Sequence, residues 1–442
     1  MSDARRGDAE GAANLMRILL STDAFPPICG GSGWSTYELA KGLRDRGHDV
    51  LIIRPVIGSG RQTPRDASEA RRDSSDYEGF QPVEFPAWAP RVPFVRNYFK
   101  NERLYRRFET FLRDFIRRQD VDLVHAQHLL TGPPSIAAAR HEGVPVVCTI
   151  RDYWPVCYWS DLIYDRTVEA LCPGCSAGMM TRCLRPRAGA LWPLATPMIP
   201  YMRANLALKR RSVSTADAVV AVSTTIANDL RARAPELVST RIEMIPNPVD
   251  VAGIRAQAER SARPMAGAYA VYVGKLEPNK GVTKLLVAIE RAQLDLPLVI
   301  VGDGSERQQL EEASHRSGRD VRFTGWLPRH EVLAWLRHAQ LLIFPSHGPE
   351  SLSRVLLEAS ALAIPIAAMD TGGTGDIVVH DETGLLSRSA EALGDDVARL
   401  RRDEALRARL GEAARHRIAR AFDTSVVVGR MELLYRELTR AT

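Results

Sequence analysis

Short runs of β-branched and other apolar residues alternate with amphipathic stretches along almost the whole of this 442-residue chain. Apolar strands separated by helices are typical of βαβ units, in which helices cover both faces of a parallel sheet. We therefore predict an α/β fold. The predicted strands are Arg17–Ser21, Asp49–Arg54, Asp122–Ala126, Pro145–Ile150, Ala218–Ser223, Arg241–Ile245, Tyr269–Gly274, Pro297–Gly302, Val321–Gly325, Leu341–Pro345 and Pro365–Ala368. The predicted helices include Thr36–Arg46, Thr283–Gln293, Ser305–Ser317, His330–His338 and Ser353–Leu362.

The alternation stops at a polar stretch rich in Ala and Arg, Val251–Gly267, and then starts again. We interpret this stretch as a linker between two doubly wound, Rossmann-like domains that face each other across a cleft. The predicted division is a flexible tail over residues 1–14, an N-terminal domain over 15–250 with an irregular insertion at 154–209, the linker over 251–267, a C-terminal domain over 268–422, and a final helix over 423–442 that crosses back to the N-terminal domain.

Charge and hydropathy exclude several classes of protein. Lysine and arginine number 59 against 53 aspartate and glutamate, a formal charge of +6. So small an excess suits a protein that binds anionic small molecules or touches a membrane surface, and no nucleic-acid-binding signature accompanies it. No apolar run reaches the ~18 residues of a membrane span, and the polar first residues do not form a secretory signal. We expect a cytoplasmic protein that does not bind nucleic acid, and the sequence leaves its oligomeric state open.

Three glycines, Gly30, Gly31 and Gly33, follow the first predicted strand and precede a helix. Backbone N–H groups at such a helix start, unobstructed by Cβ atoms, form an anion-binding site. A dinucleotide-binding fold would also place a carboxylate at the end of the second strand, but that strand ends in Ile53-Arg54-Pro55. The pattern therefore disfavours a dehydrogenase, and a glycine turn without a ligand is the alternative.

A second candidate site lies where a predicted strand of the second half runs through a short loop into a helix. Glu350 stands in that loop, and Glu358 lies further along the helix. The backbone amides of Ser351, Leu352 and Ser353 would point toward whatever Glu350 binds. A carboxylate beside free amides suits a ligand with both hydroxyl and anionic groups, such as a sugar that carries a diphosphate. Two glutamates that complement a helix dipole are the alternative.

An ordered set of motifs gives these two sites their context. The motifs are Gly30-Gly31-Ser32-Gly33, Ile245-Pro-Asn-Pro-Val-Asp250, Gly274-Lys275-Leu-Glu-Pro-Asn-Lys280-Gly281, Val301-Gly-Asp-Gly-Ser-Glu306, Phe323-Thr-Gly-Trp326-Leu-Pro, the pair Glu350 and Glu358, and Gly372-Gly-Thr-Gly-Asp-Ile. With this set the sequence resembles the GT-B glycosyltransferases of family 4, also called group 1, over roughly Leu15 to Ala421. The resemblance implies an acceptor-side N-terminal domain and a C-terminal domain that binds the sugar nucleotide. It also implies a retaining enzyme that uses a UDP- or GDP-linked sugar and needs no catalytic metal.

The same resemblance implies roles for individual residues. Lys275 and Lys280 would hold the diphosphate and stabilise the charge of the leaving nucleotide. The family usually has Arg at position 275, and Lys keeps the charge but loses the bidentate geometry. The implied donor-binding residues are Gly31, Gly33 and Gly274 in the loops, Lys275 and Lys280 at the diphosphate, Glu350 with the amides of Ser351, Leu352 and Ser353 at the sugar, Glu358 at the ribose, and Trp326 and Leu327 at the base.

One position departs from the family pattern. Members usually carry His before the Asp that follows the fifth strand, whereas this chain has Arg151 before Asp152. Arg stays protonated in proteins and cannot act as a base. Arg151 would bind an anionic group on the donor or acceptor, or activity would have been lost; His128 would supply an acceptor-side imidazole or pack as a structural residue. The candidate catalytic residues are therefore Glu350, Lys280, Lys275, Arg151 and His128.

Four cysteines fall in the irregular insertion. Cys157, Cys172, Cys175 and Cys183 follow the pattern C-x14-C-x2-C-x7-C. A Cys-Pro-Gly-Cys turn presents two thiolates to one tetrahedral metal, and two further thiolates complete a structural site. We predict a structural metal here, zinc before an iron–sulfur cluster, and four reduced thiols are the alternative.

Two further stretches bear on contact with a membrane. The apolar stretch Leu191–Tyr201, followed by Met202 and the basic Lys209-Arg-Arg211, favours peripheral contact with the inner face of a membrane. The basic amphipathic stretch Arg103–Arg118 is more typical of a helix that covers a sheet.

Taken together, the sequence predicts a retaining glycosyltransferase that acts on a glycan or lipid-linked acceptor, in polysaccharide or glycoconjugate synthesis. The alternative is a non-catalytic partner subunit that binds a sugar nucleotide in a degenerate site.

Overall fold

The computed structural model describes residues 15–27, 29–58, 76–90, 95–165 and 171–440. Within these residues, two sheets of parallel strands form the centres of two Rossmann-like domains. The predicted α/β fold is confirmed. The predicted flexible tail over residues 1–14 lies outside the described residues.

The N-terminal sheet contains seven strands among the described residues, in the spatial order β3-β2-β1-β4-β5-β6-β7. The strands are β1 (Arg17–Ser21), β2 (Asp49–Gly58), β3 (Val83–Trp88), β4 (Leu123–Ala126), β5 (Val146–Ile150), β6 (Ala218–Ala221) and β7 (Ile242–Met244). The helices are α1 (Gly31–Asp45), α2 (Val95–Tyr98), α3 (Leu104–Gln119), α4 (Gly132–Glu142), α5 (Ala177–Ala188), α6 (Trp192–Ala195), α7 (Met198–Val213), α8 (Thr224–Arg233) and α9 (Val251–Glu259).

The C-terminal sheet contains six strands within the described part of the chain, in the order β10-β9-β8-β11-β12-β13. The strands are β8 (Ala270–Val273), β9 (Leu298–Val301), β10 (Val321–Gly325), β11 (Leu341–Phe344), β12 (Ile366–Met369) and β13 (Leu385–Ser387). The helices are α10 (Val282–Arg291), α11 (Arg307–Ser317), α12 (Arg329–His338), α13 (Arg354–Ala361), α14 (Thr374–Ile377), α15 (Ala390–Arg402), α16 (Glu404–Ala421) and α17 (Thr424–Arg440).

Strand order fixes where a ligand can bind. In both sheets the chain first adds strands on one side of its starting strand and then returns to add strands on the other side. The loops at the carboxyl ends of the two central strands diverge at this reversal and leave a crevice. The crevices lie beyond β1 and β4 in one sheet and beyond β8 and β11 in the other.

The amphipathic stretch at Arg103–Arg118 forms most of α3, and this helix covers the N-terminal sheet. Phe108, Phe111 and Phe115 are buried in the core. The ring of Phe108 packs against that of Phe85 on β3, with a centroid separation of 5.1 Å. The apolar face of α3 is therefore buried against the core of the N-terminal domain, as the sequence indicated.

The last helix, α17, packs against the N-terminal domain. Val427, Val428 and Tyr435 are fully buried in the same core cluster as β1. The Tyr435 hydroxyl lies 2.5 Å from Nδ1 of His125 on β4. A Cβ atom on Gly42 of α1 would lie 2.6 Å from the Val428 side chain, so a glycine is needed for the close approach of α1 and α17.

Some elements differ from those read in the sequence. Strand β3 was not predicted, because Pro86 interrupts its pattern, and its edge position explains why a proline is tolerated there. Strand β13 was also missed, being only three residues long. Helix α1 begins at Gly31 and not at Thr36, so Gly31 and Gly33 lie in its first turn and Gly30 is its N-cap residue. The first half of the predicted linker is the helix α9, whose start is capped by Asp250.

Candidate active site

A cleft between the two domains brings most of the candidate residues together. It encloses a cavity of about 300 Å³ at the carboxyl ends of the central strands. The lining residues from the N-terminal domain are Gly31, Ser32, Ser35, His128, Arg151 and Asn247. Those from the C-terminal domain are Tyr272, Val273, Gly274, Lys275, Lys280, Phe344, Ser346, Glu350, Ser351, Leu352, Ser353, Arg354 and Val355.

The glycine loop allows the two domains to approach each other. A Cβ atom on Gly31 would lie 3.5 Å from Cβ of Arg354, at the start of α13 in the other domain. A Cβ atom on Gly33 would lie 2.6 Å from Sγ of Cys29, so a larger residue would displace the loop. Gly31 therefore brings the start of α1 against the cleft, whereas Gly33 shapes the loop without lining the cavity.

Glu350 is held rigidly at the junction between β11 and α13. Its Oε1 accepts a hydrogen bond of 2.6 Å from Ser346 and lies 2.5 Å from Nζ of Lys280. Its backbone carbonyl accepts a 2.7 Å hydrogen bond from the N–H of Gly373. Gly372 has a φ of +53°, and a Cβ there would lie 2.0 Å from that carbonyl oxygen. The glycine pair therefore fixes the backbone of Glu350.

Further hydrogen-bond donors line the same cavity as this carboxylate. The backbone N–H groups of Ser351, Leu352 and Ser353 donate to no group among the described residues. Lys275 is exposed and makes no ion pair within the described part of the chain, although it lines the same cavity. One ammonium group and three amides are thus available to an anion beside Glu350.

Glu358 lies outside the cavity lining, in a buried cluster of four charges that joins the domains. Its Oε1 accepts hydrogen bonds of 3.1 Å from Nε of both Arg329 and Arg354. Arg354 also donates to Oε1 of Glu38 on α1, over 3.0 Å, and Arg329 approaches the same oxygen at 3.6 Å. No described group donates to Oε2 of Glu358, so this oxygen is available to a ligand.

The two residues implied at the base lie close to this cluster in sequence. Trp326 is exposed, and Leu327 packs partly buried against the core. A second cavity of about 410 Å³ borders the cluster and is lined by Trp34, Glu38 and Arg329 among others. Trp326, Leu327 and Glu358 line neither cavity.

Arg151 is buried at the end of β5 and points into the cleft. Its Nε donates to Oδ1 of Asn247 over 2.9 Å, and its Nη1 donates to the carbonyl of Gln127 over 2.8 Å. Burial lowers the pKa of Arg151 to about 10, so the guanidinium is charged at neutral pH. The position that usually carries His therefore carries a fixed cation here.

His128 lies between two carboxylates. Its Nδ1 is 2.7 Å from Asp23 and its Nε2 is 3.3 Å from Asp152. Burial lowers the pKa of His128, but the charges and hydrogen bonds of Asp23 and Asp152 outweigh it and raise the pKa to about 10. At neutral pH the ring is an imidazolium with both nitrogens occupied, so it has no lone pair to accept a proton.

The four cysteines of the insertion are all unbridged. The neighbouring Cys175 thiol lowers the pKa of Cys157, and the thiol of Cys172 lies 3.5 Å from the carbonyl of Gly174. Within residues 15–27, 29–58, 76–90, 95–165 and 171–440, no group of three or more Cys, His, Asp or Glu side chains is arranged to hold a metal ion. The described structure therefore gives the predicted metal site, which includes Cys183, no support.

The apolar part of the insertion is only partly exposed. Leu191 and Leu194 are 66% and 78% exposed. Met202 and Lys209 are buried, contrary to the lipid-facing role that the sequence favoured for them. In the described parts of the chain we find no helix with the length and hydropathy needed to cross a bilayer.

Three functionally placed residues were missed by sequence reasoning. Asp23, Glu38 and Arg354 each pair with a candidate residue or bridge the domains. Asn247, which holds Arg151, stands inside a motif that had been noticed but given no role. For Arg354, the sequence signal that could have indicated a role was its position between the two candidate residues Glu350 and Glu358.

Two Rossmann-like domains around a cationic cleft define the GT-B class of glycosyltransferase folds. The structure of HepE from Anabaena, determined in complex with UDP, superposes with a TM-score of 0.66 at 17% identity, covering 96% of this chain and 100% of that one. A likeness at this identity establishes the fold.

The family follows from two matching family models. Residues 29–252 match the model described as Glycosyltransferase Family 4, and residues 254–417 match the one described as Glycosyl transferases group 1. The chain belongs to the family 4 glycosyltransferases and is an enzyme of that family.

Two curated relatives cover most of the chain. A glycogen synthase of Mycobacterium tuberculosis is 28% identical over 432 residues, with 93% of this chain and 92% of the relative covered. A GDP-mannose-dependent alpha-mannosyltransferase of Mycolicibacterium smegmatis is 28% identical over 383 residues, with 84% of each chain covered.

Proposed function

We propose that this protein transfers a sugar from a UDP- or GDP-linked donor to an acceptor hydroxyl, with retention of the anomeric configuration. The observation that carries the proposal is the grouping of Lys275, Lys280 and free backbone amides around the carboxylate of Glu350 in one cleft. A nucleotide sugar offers the matching chemistry, because its diphosphate needs cations and amides while its hydroxyls need a carboxylate acceptor.

In this proposal the C-terminal domain binds the donor. Lys275 and Lys280 hold the diphosphate and stabilise the charge that develops on the leaving nucleotide. Glu350 accepts hydrogen bonds from sugar hydroxyls, and the amides of residues 351–353 donate to phosphate or sugar oxygens. Because Lys280 already contacts Glu350, the cation and the carboxylate are pre-positioned relative to each other before the donor arrives.

The nucleoside contacts form the second part of the proposal. The free Oε2 of Glu358 accepts hydrogen bonds from the ribose, while Arg329 and Arg354 hold Oε1 and orient the carboxyl group. Trp326 and Leu327 contact the base. Since Trp326 is exposed, its ring is free to stack on a base.

Retention needs no protein base in the proposed chemistry. The acceptor hydroxyl attacks from the face that the diphosphate leaves, and the leaving phosphate takes the hydroxyl proton. The imidazolium state of His128 fits this route, because a protonated ring cannot serve as a base. His128 would instead fix Asp23 and Asp152 on the acceptor side of the cleft.

For the acceptor we propose a glycan or a lipid-linked saccharide. One relative is named as a glycogen synthase, which favours a growing polysaccharide. The exposed Leu191 and Leu194, with the exposed Arg185 and Arg203 within twelve positions of them in the sequence, favour peripheral contact of a cytoplasmic protein with the inner face of a membrane. Sedimentation with vesicles of anionic lipid, with Leu191→Ser plus Leu194→Ser as the comparison, tests this contact.

We also propose a domain division for this activity. The acceptor domain spans residues 15–250, the linker 251–267, and the donor domain 268–422, and the helix after residue 422 returns to the acceptor domain. The buried contacts of α17 with the N-terminal core favour this last assignment.

A panel of nucleotide sugars tests the proposal. The protein is incubated with UDP- and GDP-linked sugars, and release of free nucleoside diphosphate is measured with and without Glu350→Gln. Turnover by the wild type that is lost in Glu350→Gln supports the enzyme. Thermal stabilisation by a donor without any turnover would support the second candidate, a non-catalytic binding subunit, which the Arg at position 151 favours.

A further inference from the structure

A buried cation without a counter-ion stands in the cleft. Arg151 is only 7% exposed, and its two hydrogen bonds to protein go to neutral oxygens, of Asn247 and Gln127. Within the part of the chain that the structure describes, no carboxylate lies within ion-pair distance of its guanidinium, and Nη2 makes no hydrogen bond. Arg151 therefore faces the cavity with an unused donor edge.

The nearest acidic residues are already engaged. Asp152, its neighbour in the chain, lies 3.3 Å from Nε2 of His128 and accepts a 2.8 Å hydrogen bond from the N–H of Trp154. Asp23 lies 2.7 Å from Nδ1 of the same ring. Both carboxylates therefore contact His128, and neither forms an ion pair with Arg151.

Burying an unpaired charge costs free energy, because the charge loses its hydration. Such a charge is found in a protein where a ligand or a neighbouring group compensates for that loss. The planar guanidinium is the side chain best suited to carboxylate and phosphate groups, which it can bind through two parallel hydrogen bonds. Asn247 and the Gln127 carbonyl hold Nε and Nη1, so the direction of the remaining donors is fixed in advance. This is how a pre-organised anion site is built.

Resting on the proposed transferase function, we propose that Arg151 binds a carboxylate or phosphate group other than the donor diphosphate, carried either by the transferred sugar or by the acceptor. The lysines and amides available to the diphosphate belong to the C-terminal domain, whereas Arg151 follows β5 of the opposite domain. The substrate class is therefore narrowed to an acidic sugar donor, such as a uronate, or an acidic acceptor.

Matched ligand pairs test the proposal on the full chain. UDP-glucuronate is compared with UDP-glucose, and GDP-mannuronate with GDP-mannose, because the members of each pair differ only in a carboxylate at C6. Glucose 6-phosphate is compared with glucose in the presence of UDP or GDP, to report on the acceptor side. Binding is measured by calorimetry for the wild type, Arg151→Gln, Arg151→Lys and the control Arg211→Gln, which removes an exposed arginine outside the cleft.

We expect the wild type to bind the anionic member of at least one pair about tenfold more tightly than the neutral member, in line with one charge-assisted contact. Arg151→Gln should abolish this preference, Arg151→Lys should reduce it, and Arg211→Gln should keep it. Affinity for free UDP and GDP should change less than about twofold. A preference in the nucleotide-sugar pairs places the anion on the donor, and one in the phosphate pair places it on the acceptor.

Three results would overturn the proposal. They are a wild type with no preference in any pair, a preference that survives in Arg151→Gln, and a loss of free UDP or GDP affinity as large as the loss for the anionic ligand. Should Arg151→Gln fail to fold, Arg151→Lys is measured instead, and its preference for the anionic ligand must be lower than that of the wild type. Because binding is measured without turnover, an inactive protein contradicts the proposed function and leaves this test intact.

Discussion

His128 gives the sharpest physical prediction, because two carboxylates hold its ring. Replacing it by glutamine removes the imidazolium and leaves Asp23 and Asp152 without their shared cation. The rise of the pKa of His128 from its ordinary 6.5 to about 10 corresponds to about 5 kcal/mol of preference for the charged form. The side chain is 25% exposed, so water screens part of this interaction, and we expect about 2–3 kcal/mol.

The sign of the pH dependence follows from the raised pKa. Below pH 6.5 the ring is protonated in the folded and the unfolded chain, and the full stabilisation is present. As the pH rises above 6.5 the unfolded chain loses the proton first, and the contribution is lost progressively until the pH passes about 10. Wild type and His128→Gln should therefore differ most in unfolding free energy near pH 6 and least near pH 10.

Two measurements check this account. Urea unfolding at a series of pH values compares the wild type with His128→Gln and with His315→Gln, which removes an exposed histidine of α11. NMR titration of the histidine ring protons should show one ring that stays charged beyond pH 9. A ring at position 128 that titrates near 6.5, or a stability difference that grows with pH, would refute the imidazolium between two carboxylates.

Further predictions concern the other charged residues of the cleft. Glu350→Gln should lower turnover by about 100-fold or more while the protein stays folded, because the carboxylate meets substrate at a loop; equal turnover in this variant and in the surface control Glu404→Gln would contradict its role. Glu358→Ala should raise the KM for the donor more than it lowers kcat, since a ribose contact persists from ground state to transition state, and steady-state kinetics shows which parameter moves. Glu38→Gln should lower the free energy of unfolding by about 2 kcal/mol in urea titrations, because it removes a buried carboxylate from Arg329 and Arg354 while Glu358 remains to pair with them. A change below about 0.5 kcal/mol would show that the four-charge cluster does not hold the domains together.

The fold could be predicted from sequence because its signal is local. Each predicted strand is present, since buried parallel strands such as β4 and β11 are short apolar runs that can be recognised without their neighbours. Strand β3 escaped because an edge strand tolerates Pro86 and needs no continuous apolar run. The start of α1 at Gly31 escaped because glycines are read as turn residues until the helix that follows is seen.

The candidate site was only partly predictable, because its contacts join residues far apart in the chain. Glu38 and Arg354 are 316 positions apart, and Arg151 and Asn247 are 96 apart. On an amphipathic helix, a residue such as Glu38 looks like part of a solvated face, and only the packing of two domains shows that it is buried. The metal site predicted from the cysteine spacing stays a prediction, since spacing alone does not fix how closely four thiols approach one another.

The central claim, that the cleft transfers a sugar with retention, is tested most directly by the stereochemistry of the product. A donor of defined anomeric configuration that supports nucleoside diphosphate release is supplied with the acceptor, and the freshly formed glycoside is examined by proton NMR through the coupling constant of its anomeric proton. The account predicts a product with the configuration of the donor, formed by the wild type and absent with Glu350→Gln. A product of inverted configuration would contradict the account.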